Sequence, residues 1–202
     1  MEKTKTTENP ENILFDFISQ YMPLSDEEKQ AIVDLDIFKV VKKDTVLLKE
    51  GQTTNKSYTV LNGCLRVFYI IEGEEKTTAF YTEMEGITPP CVINGRPSEY
   101  YVSAVENSIV AVTDAGMEAH IFEKFPRFET LCRIVSEQLL AKNQATFDEF
   151  KTSSPEQRYL NLLKTRPDLT QRVPQHQLAS FLGITPQSLS RLRARIVQKK
   201  TE

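Results

Sequence analysis

The segment PQHQLASFLGITPQSLSRLRARI, residues 174–196, constrains the fold more than any other part of the chain. Its apolar residues have the spacing of two short helices that share one core: Leu178, Leu182, Ile184, Leu189 and Leu192. Ala179 lets the two helices approach closely, and Gly183 accepts the backbone angle that a tight turn requires. Pro186 suits a first helical position and Thr185 can cap that helix. This pattern predicts a helix-turn-helix, although an ordinary helical hairpin shares the apolar spacing.

The outward face of the second helix separates these two interpretations. With Leu189, Leu192 and Ile196 pointing inward, helical geometry turns four polar residues outward: Gln187, Ser188, Arg191 and Arg195. No acidic residue interrupts this face. Gln and Arg can make bidentate contacts with base edges in the major groove, and Ser can contact a base or a phosphate. The face therefore predicts DNA recognition, which a hairpin alone would not explain.

Basic residues concentrate at the C-terminal end of the chain. Residues 151–202 carry ten Lys and Arg against three Asp and Glu, whereas residues 1–150 carry 15 against 25. The net charge of -3 thus combines an acidic body with a basic end. Such asymmetry favours contact of the basic end with a polyanion, although basic runs also occur on solvated surfaces.

The first half of the chain predicts two short helices and then a β unit. Residues 13–21 place apolar side chains on one helical face, and Ser25 to Glu28 offer a capping box for a second helix. From about Phe38, short β-type runs alternate with turns, and glycines recur at intervals of ten to thirteen residues, at Gly51, Gly63, Gly73 and Gly86. This spacing is typical of an antiparallel sandwich, barrel or roll.

Two features interrupt or end the β pattern. The stretch MEGITPPCVINGRPSEYY contains two adjacent prolines and two glycines, so we expect a long excursion between strands, and such loops are often functional. After Asp114 a short helical piece leads to Pro126. The residues that follow contain no Gly or Pro and suit one helix of more than twenty residues.

This long helix has a wide apolar surface. Leu131, Val135 and Leu139 lie on one stripe, and Ile134 and neighbouring alanines widen it. Burial on the β unit of the same chain would explain one stripe, but the extra width favours a second copy of the chain as partner. We therefore predict a homodimer with Leu131, Val135 and Leu139 at the interface.

Together these patterns predict an α+β chain in three parts. Residues 1–126 form an antiparallel β unit flanked by helices. Residues 127–150 form the long connecting and dimerisation helix, and residues 151–202 form the helix-turn-helix DNA-binding domain.

This order of parts, ending in ASFLGITPQSLSRLRARI, resembles the Crp/Fnr family of bacterial transcription regulators, in the branch whose recognition helices read TPxSLSRLR. The resemblance covers nearly the whole chain and is most specific in the helix-turn-helix. It implies that residues 1–126 form a sensor-like β roll similar to that of cyclic-nucleotide-binding domains. It further implies a dimer joined along the long helix, and paired recognition helices on an inverted-repeat operator. It also implies that Gln187, Ser188 and Arg191 read bases and that Thr185 contacts phosphate.

The chain departs from the family's nucleotide-binding pattern. Family members that bind cyclic nucleotides carry a Gly-Glu pair and then an Arg-Ser or Arg-Thr pair that clamps the phosphate. Aligned through YYVSA, the clamp positions hold Ser98 and Glu99. A carboxylate there would repel phosphate, and the missing Arg removes a charge-assisted fork, although Arg96 lies nearby. We therefore expect an unknown small effector, or no sensing, rather than cyclic AMP or GMP, with Gly86, Ser98, Glu99 and Tyr100 as the candidate effector pocket.

Two other classes of function are weighed against this one. A cupin-like metal-dependent enzyme on the β unit would need clustered His and carboxylate ligands, but the only histidines are His120 and His176. A haem or redox sensor of the same fold would use axial ligands or a cysteine cluster. The three cysteines are far apart and outside any CxxC pattern, and none precedes Cys64. We therefore expect no enzyme activity, metal or cofactor.

The expected partners follow from these interpretations. They are double-stranded DNA and a second copy of the chain, with RNA polymerase and an unidentified small effector as further candidates. No apolar run is long enough to span a membrane and the N-terminus lacks an apolar signal segment, so we expect a cytoplasmic protein.

Overall fold

A computed structural model describes residues 9–199, and its strands form two antiparallel sheets. The strands are β1 (Phe38–Val41), β2 (Val46–Leu48), β3 (Lys56–Asn62), β4 (Leu65–Ile71), β5 (Glu74–Tyr81), β6 (Gly86–Ile87), β7 (Tyr101–Ala104) and β8 (Ser108–Asp114). The helices are α1 (Pro10–Ser19), α2 (Asp26–Asp34), α3 (Pro90–Asn94), α4 (Ala115–Lys124), α5 (Arg127–Thr152), α6 (Pro155–Thr165), α7 (Leu169–Arg172), α8 (Gln175–Phe181) and α9 (Pro186–Lys199). The chain is thus α+β, with an antiparallel β unit as predicted.

The two sheets pack face to face as a roll. Their strand orders are β1-β8-β3-β6 and β2-β7-β4-β5. Alternate residues of these strands point between the sheets, and this core is almost fully closed to solvent at Leu48, Val60, Leu65, Val102 and Val110. Strand β5 lies at one edge of its sheet, so one row of its backbone groups is left unpaired by strands.

Glycine turns divide the roll as expected at three of the four predicted positions. Gly51, Gly63 and Gly73 all have positive φ. At Gly63 a side chain is also excluded by space, because a Cβ atom there would lie 2.3 Å from the Ser108 hydroxyl oxygen. Gly86 differs from the prediction: it begins β6, and Met84, with φ 62°, makes the preceding turn.

Two of the helices begin at capping boxes. Ser25 and Glu28 form a reciprocal capping box at the start of α2. Ser154 and Gln157 form a second one at the start of α6. The excursion between β6 and β7 contains α3, a five-residue helix that the sequence analysis did not anticipate.

Helix α5 is the predicted long helix, with 26 residues. Its first turns are packed against the roll and the N-terminal helices through Phe128 and Leu131, both of which are buried in the same chain. The remainder is largely exposed, including Leu140 and Phe147. No helix among residues 9–199 is long and apolar enough to cross a membrane.

Helices α6–α9 form a C-terminal unit that packs against the roll of the same chain. Its core consists mainly of its own leucines, such as Leu162, Leu178 and Leu189. Cys64, Phe80 and Val105 of the roll belong to the same apolar cluster. The C-terminal unit and the roll therefore share buried surface.

Candidate functional site

Helices α8 and α9 meet at a tight turn, and we call them the α8–α9 pair. Ala179 has no exposed surface, so its small side chain permits the close approach that its position predicts. In the turn, Gly183 has φ +71°, and the Ile184 amide donates to the Ala179 carbonyl oxygen at 3.0 Å. Leu182, Leu189 and other apolar residues of the predicted pattern are buried between the two helices.

Thr185 caps α9 through its side chain. Its hydroxyl oxygen accepts from the Ser188 amide at 3.2 Å, and the same hydroxyl donates to the Ser188 hydroxyl at 3.0 Å. Pro186 occupies the first helical position, where no amide hydrogen is needed. The two residues together start α9 at the place that the sequence predicts.

The outer face of α9 is open. Gln187, Arg191 and Arg195 are exposed and Ser188 is half-buried, while Leu189 and Leu192 on the opposite face are buried. No Asp or Glu occurs within α9. This face therefore presents an amide, a hydroxyl and guanidinium groups to solvent in a row that a nucleic-acid groove could receive. Residue 200 and the side chain of Lys199 lie outside the part of the chain that the structure describes.

The basic residues of the C-terminal unit divide into two groups, which sequence reasoning did not foresee. Arg158 donates to the carbonyl oxygens of Leu182 and Ser153, and it therefore braces α6 against the α8–α9 turn. Arg166 and Arg172 bind carboxylates of the roll. These inward-directed arginines differ from the exposed arginines of α9 only in their contacts with residues far away in the sequence. No local sequence pattern could therefore have told the two groups apart.

A small pocket of about 150 Å3 lies between α3 and the segment before β7. It brings together Ser98, Glu99 and Tyr100, as the candidate effector pocket requires, and Cys91 and Arg96 also line it. Gly86 lies instead in β6, paired with Thr59.

The Ser98 polar groups at this pocket are already hydrogen-bonded to the backbone of the same chain. Ser98 is buried, its amide donates to the Gln52 carbonyl oxygen at 2.8 Å, and its hydroxyl donates to the Tyr100 carbonyl oxygen at 2.9 Å. Burial raises the pKa of the Tyr100 phenol above its ordinary value, so this group stays neutral at physiological pH. The pocket therefore offers little free volume and no buried cation.

A larger cleft of about 1050 Å3 lies between β5, α5, α6 and α8. Its walls include Phe80, Leu139, Phe150 and Phe181. Its cations are paired within its own walls: Lys142 and Arg166 both bind Glu85, which also lines the cleft, and Arg158 donates to the Leu182 carbonyl oxygen. Since its walls come from distant parts of the chain, no sequence motif marks this cleft.

The residues predicted for the dimer interface lie at different depths. Leu131 is buried within its own chain, so it is not part of a free surface. Val135 is half-buried against the same cluster, and Leu139 lines the large cleft. The freely exposed apolar residues of α5 are others, among them Leu140, which is 71% exposed, and Phe147, which is 56% exposed.

Metal ligation finds no support in the described part of the chain. Among residues 9–199, no group of three or more His, Cys, Asp and Glu side chains could hold a metal ion. Cys64, Cys91 and Cys132 are all free thiols, and burial raises the pKa of Cys64 to about 12.

Comparison with known proteins agrees with this architecture. Residues 38–125 match the cyclic nucleotide-binding domain family. No curated protein matches the sequence.

Several solved structures are similar. A mutant of CooA from Carboxydothermus hydrogenoformans has a TM-score of 0.63 and 19% identity, covering 80% of this chain and 76% of that one. FixK2 from Bradyrhizobium japonicum has a TM-score of 0.65 and 14% identity, covering 81% and 85%. The c-di-GMP-responsive global regulator CLP of Xanthomonas campestris has a TM-score of 0.63 and 14% identity, covering 85% and 93%.

At such identities these neighbours establish the fold alone. The match over residues 38–125 comprises the roll and extends through α4. The resemblance read from the sequence is therefore confirmed at the level of the fold: residues 38–125 match the cyclic nucleotide-binding domain family, and the chain shares its fold with CooA, FixK2 and CLP.

Proposed function

We propose that this protein is a sequence-specific DNA-binding transcription regulator of the Crp/Fnr type, in which the α8–α9 pair is the helix-turn-helix. The observation that carries the proposal is the division of α9 into two faces. Leu189 and Leu192 are buried in the C-terminal unit, whereas Gln187, Arg191 and Arg195 are exposed on a face without carboxylates.

The exposed side chains have the chemistry of base recognition. Arg can donate two hydrogen bonds to guanine, and Gln can pair with adenine, in the major groove. Gln187, Ser188 and Arg191 lie in the N-terminal half of α9, which is the half that contacts base edges in helix-turn-helix proteins. In this proposal these three read bases, Arg195 adds a contact further along the helix, and Thr185 contacts phosphate at the helix start.

The proposed active form is a homodimer joined along α5. Leu140 and Phe147 are seven residues apart and therefore lie on nearly the same face of the helix, where each is more than half exposed. Burying them against a second copy would remove apolar surface from water. A two-fold axis would then relate two α9 helices, and the operator would be an inverted repeat.

The proposed effector is not cyclic AMP or cyclic GMP. Glu99 stands at a position where a cyclic phosphate would need a cation and is among the residues that line the small pocket, and about 150 Å3 is small for a nucleotide. Ser98 is engaged with the backbone of Gln52 and Tyr100. The roll would thus respond to another small molecule or serve as a scaffold without a ligand.

The test is selection of bound sequences from a random double-stranded DNA library by the purified protein. We expect enrichment of one inverted repeat, confirmed by fluorescence anisotropy with the enriched duplex. Arg191→Ala should weaken the enrichment and flatten preference at one base pair of each half-site, while Arg133→Ala, which removes an exposed guanidinium from α5, should leave the enriched sequence unchanged. A wild-type protein that enriches no sequence over the starting library would refute the proposal.

A further inference from the structure

The C-terminal unit covers the free edge of β5. The Ser180 hydroxyl accepts from the Thr77 amide at 2.9 Å and donates to the Glu75 carbonyl oxygen at 3.1 Å. Beside it the rings of Phe80 and Phe181 pack edge to face, with centroids 5.3 Å apart. An edge strand exposes unpaired backbone groups, and here α8 satisfies two of them.

Arg166 extends this contact to the loop between β5 and β6. Its guanidinium donates to the Phe80 carbonyl oxygen at 3.1 Å, and to the Thr82 hydroxyl and the Glu85 carboxylate at 3.0 Å each. The other carboxylate oxygen of Glu85 binds Lys142 of α5. Glu85 therefore links the long helix and the C-terminal unit through one side chain.

Arg172, at the end of α7, makes the densest set of contacts. It donates to Glu106 Oε1 at 2.6 and 2.9 Å, to the two oxygens of Glu83 at 2.8 and 2.9 Å, and to the Gly63 carbonyl oxygen at 2.6 Å. Asp168 lies 3.1 Å away on its own element. One guanidinium thus joins three separate turns of the roll to the C-terminal unit, with the charge-assisted geometry that fixes orientation.

These contacts leave the outer face of α9 uncovered. Ser180, Arg166 and Arg172 lie on α6–α8 or the adjoining turn, whereas Gln187 and Arg191 remain exposed. Attachment to the roll therefore does not block DNA contact. It sets the direction in which α9 points relative to the roll and α5.

We propose that Arg172, together with Arg166, is a positioning residue for DNA recognition: by clamping α6–α8 onto Glu83, Glu85 and Glu106 of the roll, it fixes the distance and angle between the two α9 helices of a dimer. The proposal rests on the proposed function, because it concerns DNA binding by that dimer. Its consequence is a preference for one spacing of operator half-sites, since each added base pair rotates the second half-site by about 35°.

The test uses the full-length chain with Arg172→Gln, and with Glu106→Gln as a second variant that removes the charge from the roll side. Arg133→Gln is the matched control, because Arg133 pairs only with Glu137 on the exposed surface of α5 among the contacts found for it in the described residues. Circular dichroism establishes that each variant is folded. Binding is then measured to a single half-site and to inverted repeats whose spacer is lengthened or shortened by about one to three base pairs.

For the wild type and Arg133→Gln we expect about a tenfold preference for the best spacer over spacers two base pairs away. In Arg172→Gln and Glu106→Gln this preference should fall to about twofold, with affinity for a single half-site unchanged. A purely structural loss would lower binding to every duplex, the half-site included, so the ratio between spacers distinguishes positioning from stability.

Amide hydrogen exchange gives a readout that needs no DNA. The Thr77 amide donates to Ser180, so its exchange reports whether α8 remains on β5. We expect exchange at Thr77 to accelerate about tenfold in Arg172→Gln, with no change at Val67, whose neighbours lie within the roll.

The outcomes are distinct. Unchanged exchange at Thr77 in both variants would overturn the claim that Arg172 holds the C-terminal unit on the roll. Faster exchange with an intact spacer preference would overturn the positioning role. Wild-type protein that binds no duplex at all would refute the proposed function and with it the spacer claim, while the exchange data would still show separately whether Arg172 holds the C-terminal unit.

Discussion

Glu28 and Arg127 form a two-bonded ion pair that joins α2 to the first residue of the long helix. Arg127 Nε donates to Glu28 Oε1 at 2.6 Å and Nη2 donates to Oε2 at 2.5 Å. Glu28 is buried, and its carboxylate also accepts from the Ser25 amide in the capping box of α2. The same carboxylate therefore starts one helix and anchors another.

Replacing Glu28 by Gln should destabilise the protein. The Gln side chain keeps the shape of Glu and one hydrogen-bond acceptor, but it loses the charge-assisted hydrogen bonds from Arg127. We therefore expect the free energy of unfolding to fall by about 1 to 3 kcal/mol. Urea denaturation at pH 7 measures this. Glu27→Gln is the control, since Glu27 pairs with Lys124 at an exposed position and should change stability far less. Equal losses in both variants would contradict the anchoring role of Glu28.

The same pair predicts a pH dependence. The hydrogen bond from Arg127 lowers the pKa of Glu28 below its ordinary value of 4.5, so the folded state holds this proton less tightly than the unfolded state. Its contribution is therefore complete above pH 4.5 and is lost as pH falls through the lowered pKa. The stability difference between wild type and Glu28→Gln should be largest near neutral pH and shrink in acid. A stability difference that grows on acidification would contradict the predicted direction of this pH dependence.

Arg191 and the terminal lysines should affect DNA binding in different ways. Arg191→Ala should cost about 1 to 3 kcal/mol per half-site and flatten preference at one base pair, because it removes a base contact. Replacing both Lys199 and Lys200 should weaken all sequences alike and reduce the salt dependence. Competition between operator and scrambled DNA at two salt concentrations separates the effects. If the ratio of specific to nonspecific affinity is unchanged in Arg191→Ala, Arg191 does not contact bases, and base recognition is assigned to Gln187 and Ser188.

Substitutions on the exposed apolar face of α5 should change the protein from a dimer to a monomer. Leu140→Glu places a charge on an exposed apolar position. We therefore expect this variant to be a folded monomer of 23.1 kDa in sedimentation, whereas the wild type should sediment at about twice that mass. Leu131→Glu should unfold the chain instead, because Leu131 is buried in its own core. Thr130→Glu, exposed on another face of α5, is the control and should remain dimeric. A wild type that is monomeric at tens of micromolar would exclude the dimer.

Cyclic nucleotides should bind weakly or not at all. The acidic residue Glu99 is among those that line the small pocket, and Ser98 cannot replace a guanidinium. Isothermal titration with cyclic AMP and cyclic GMP should give no dissociation constant better than about 1 mM. A micromolar constant would show that Arg96, which also lines the pocket, supplies the clamp. Arg96→Ala would then abolish that binding.

Local sequence determined much of this protein because helices and turns are specified by neighbouring residues. The capping box of Ser25 and Glu28, the turn glycines Gly51, Gly63 and Gly73, and the length of α5 all depend on backbone preferences within a few residues. The two faces of α9 follow from helical periodicity alone, since Leu189 and Leu192 recur on the side opposite Arg191.

The tertiary structure decided which side chains are buried or paired and which remain exposed. Arg172 and Arg191 carry the same group on the same basic end of the chain, yet Arg172 binds Glu83 and Glu106 of the roll while Arg191 faces solvent. Leu131 and Leu140 are both apolar residues of α5, and only the first is buried by its own chain. These differences depend on contacts between residues far apart in sequence, whose pairing is set by how the sheets and helices pack together and has no trace in any local pattern.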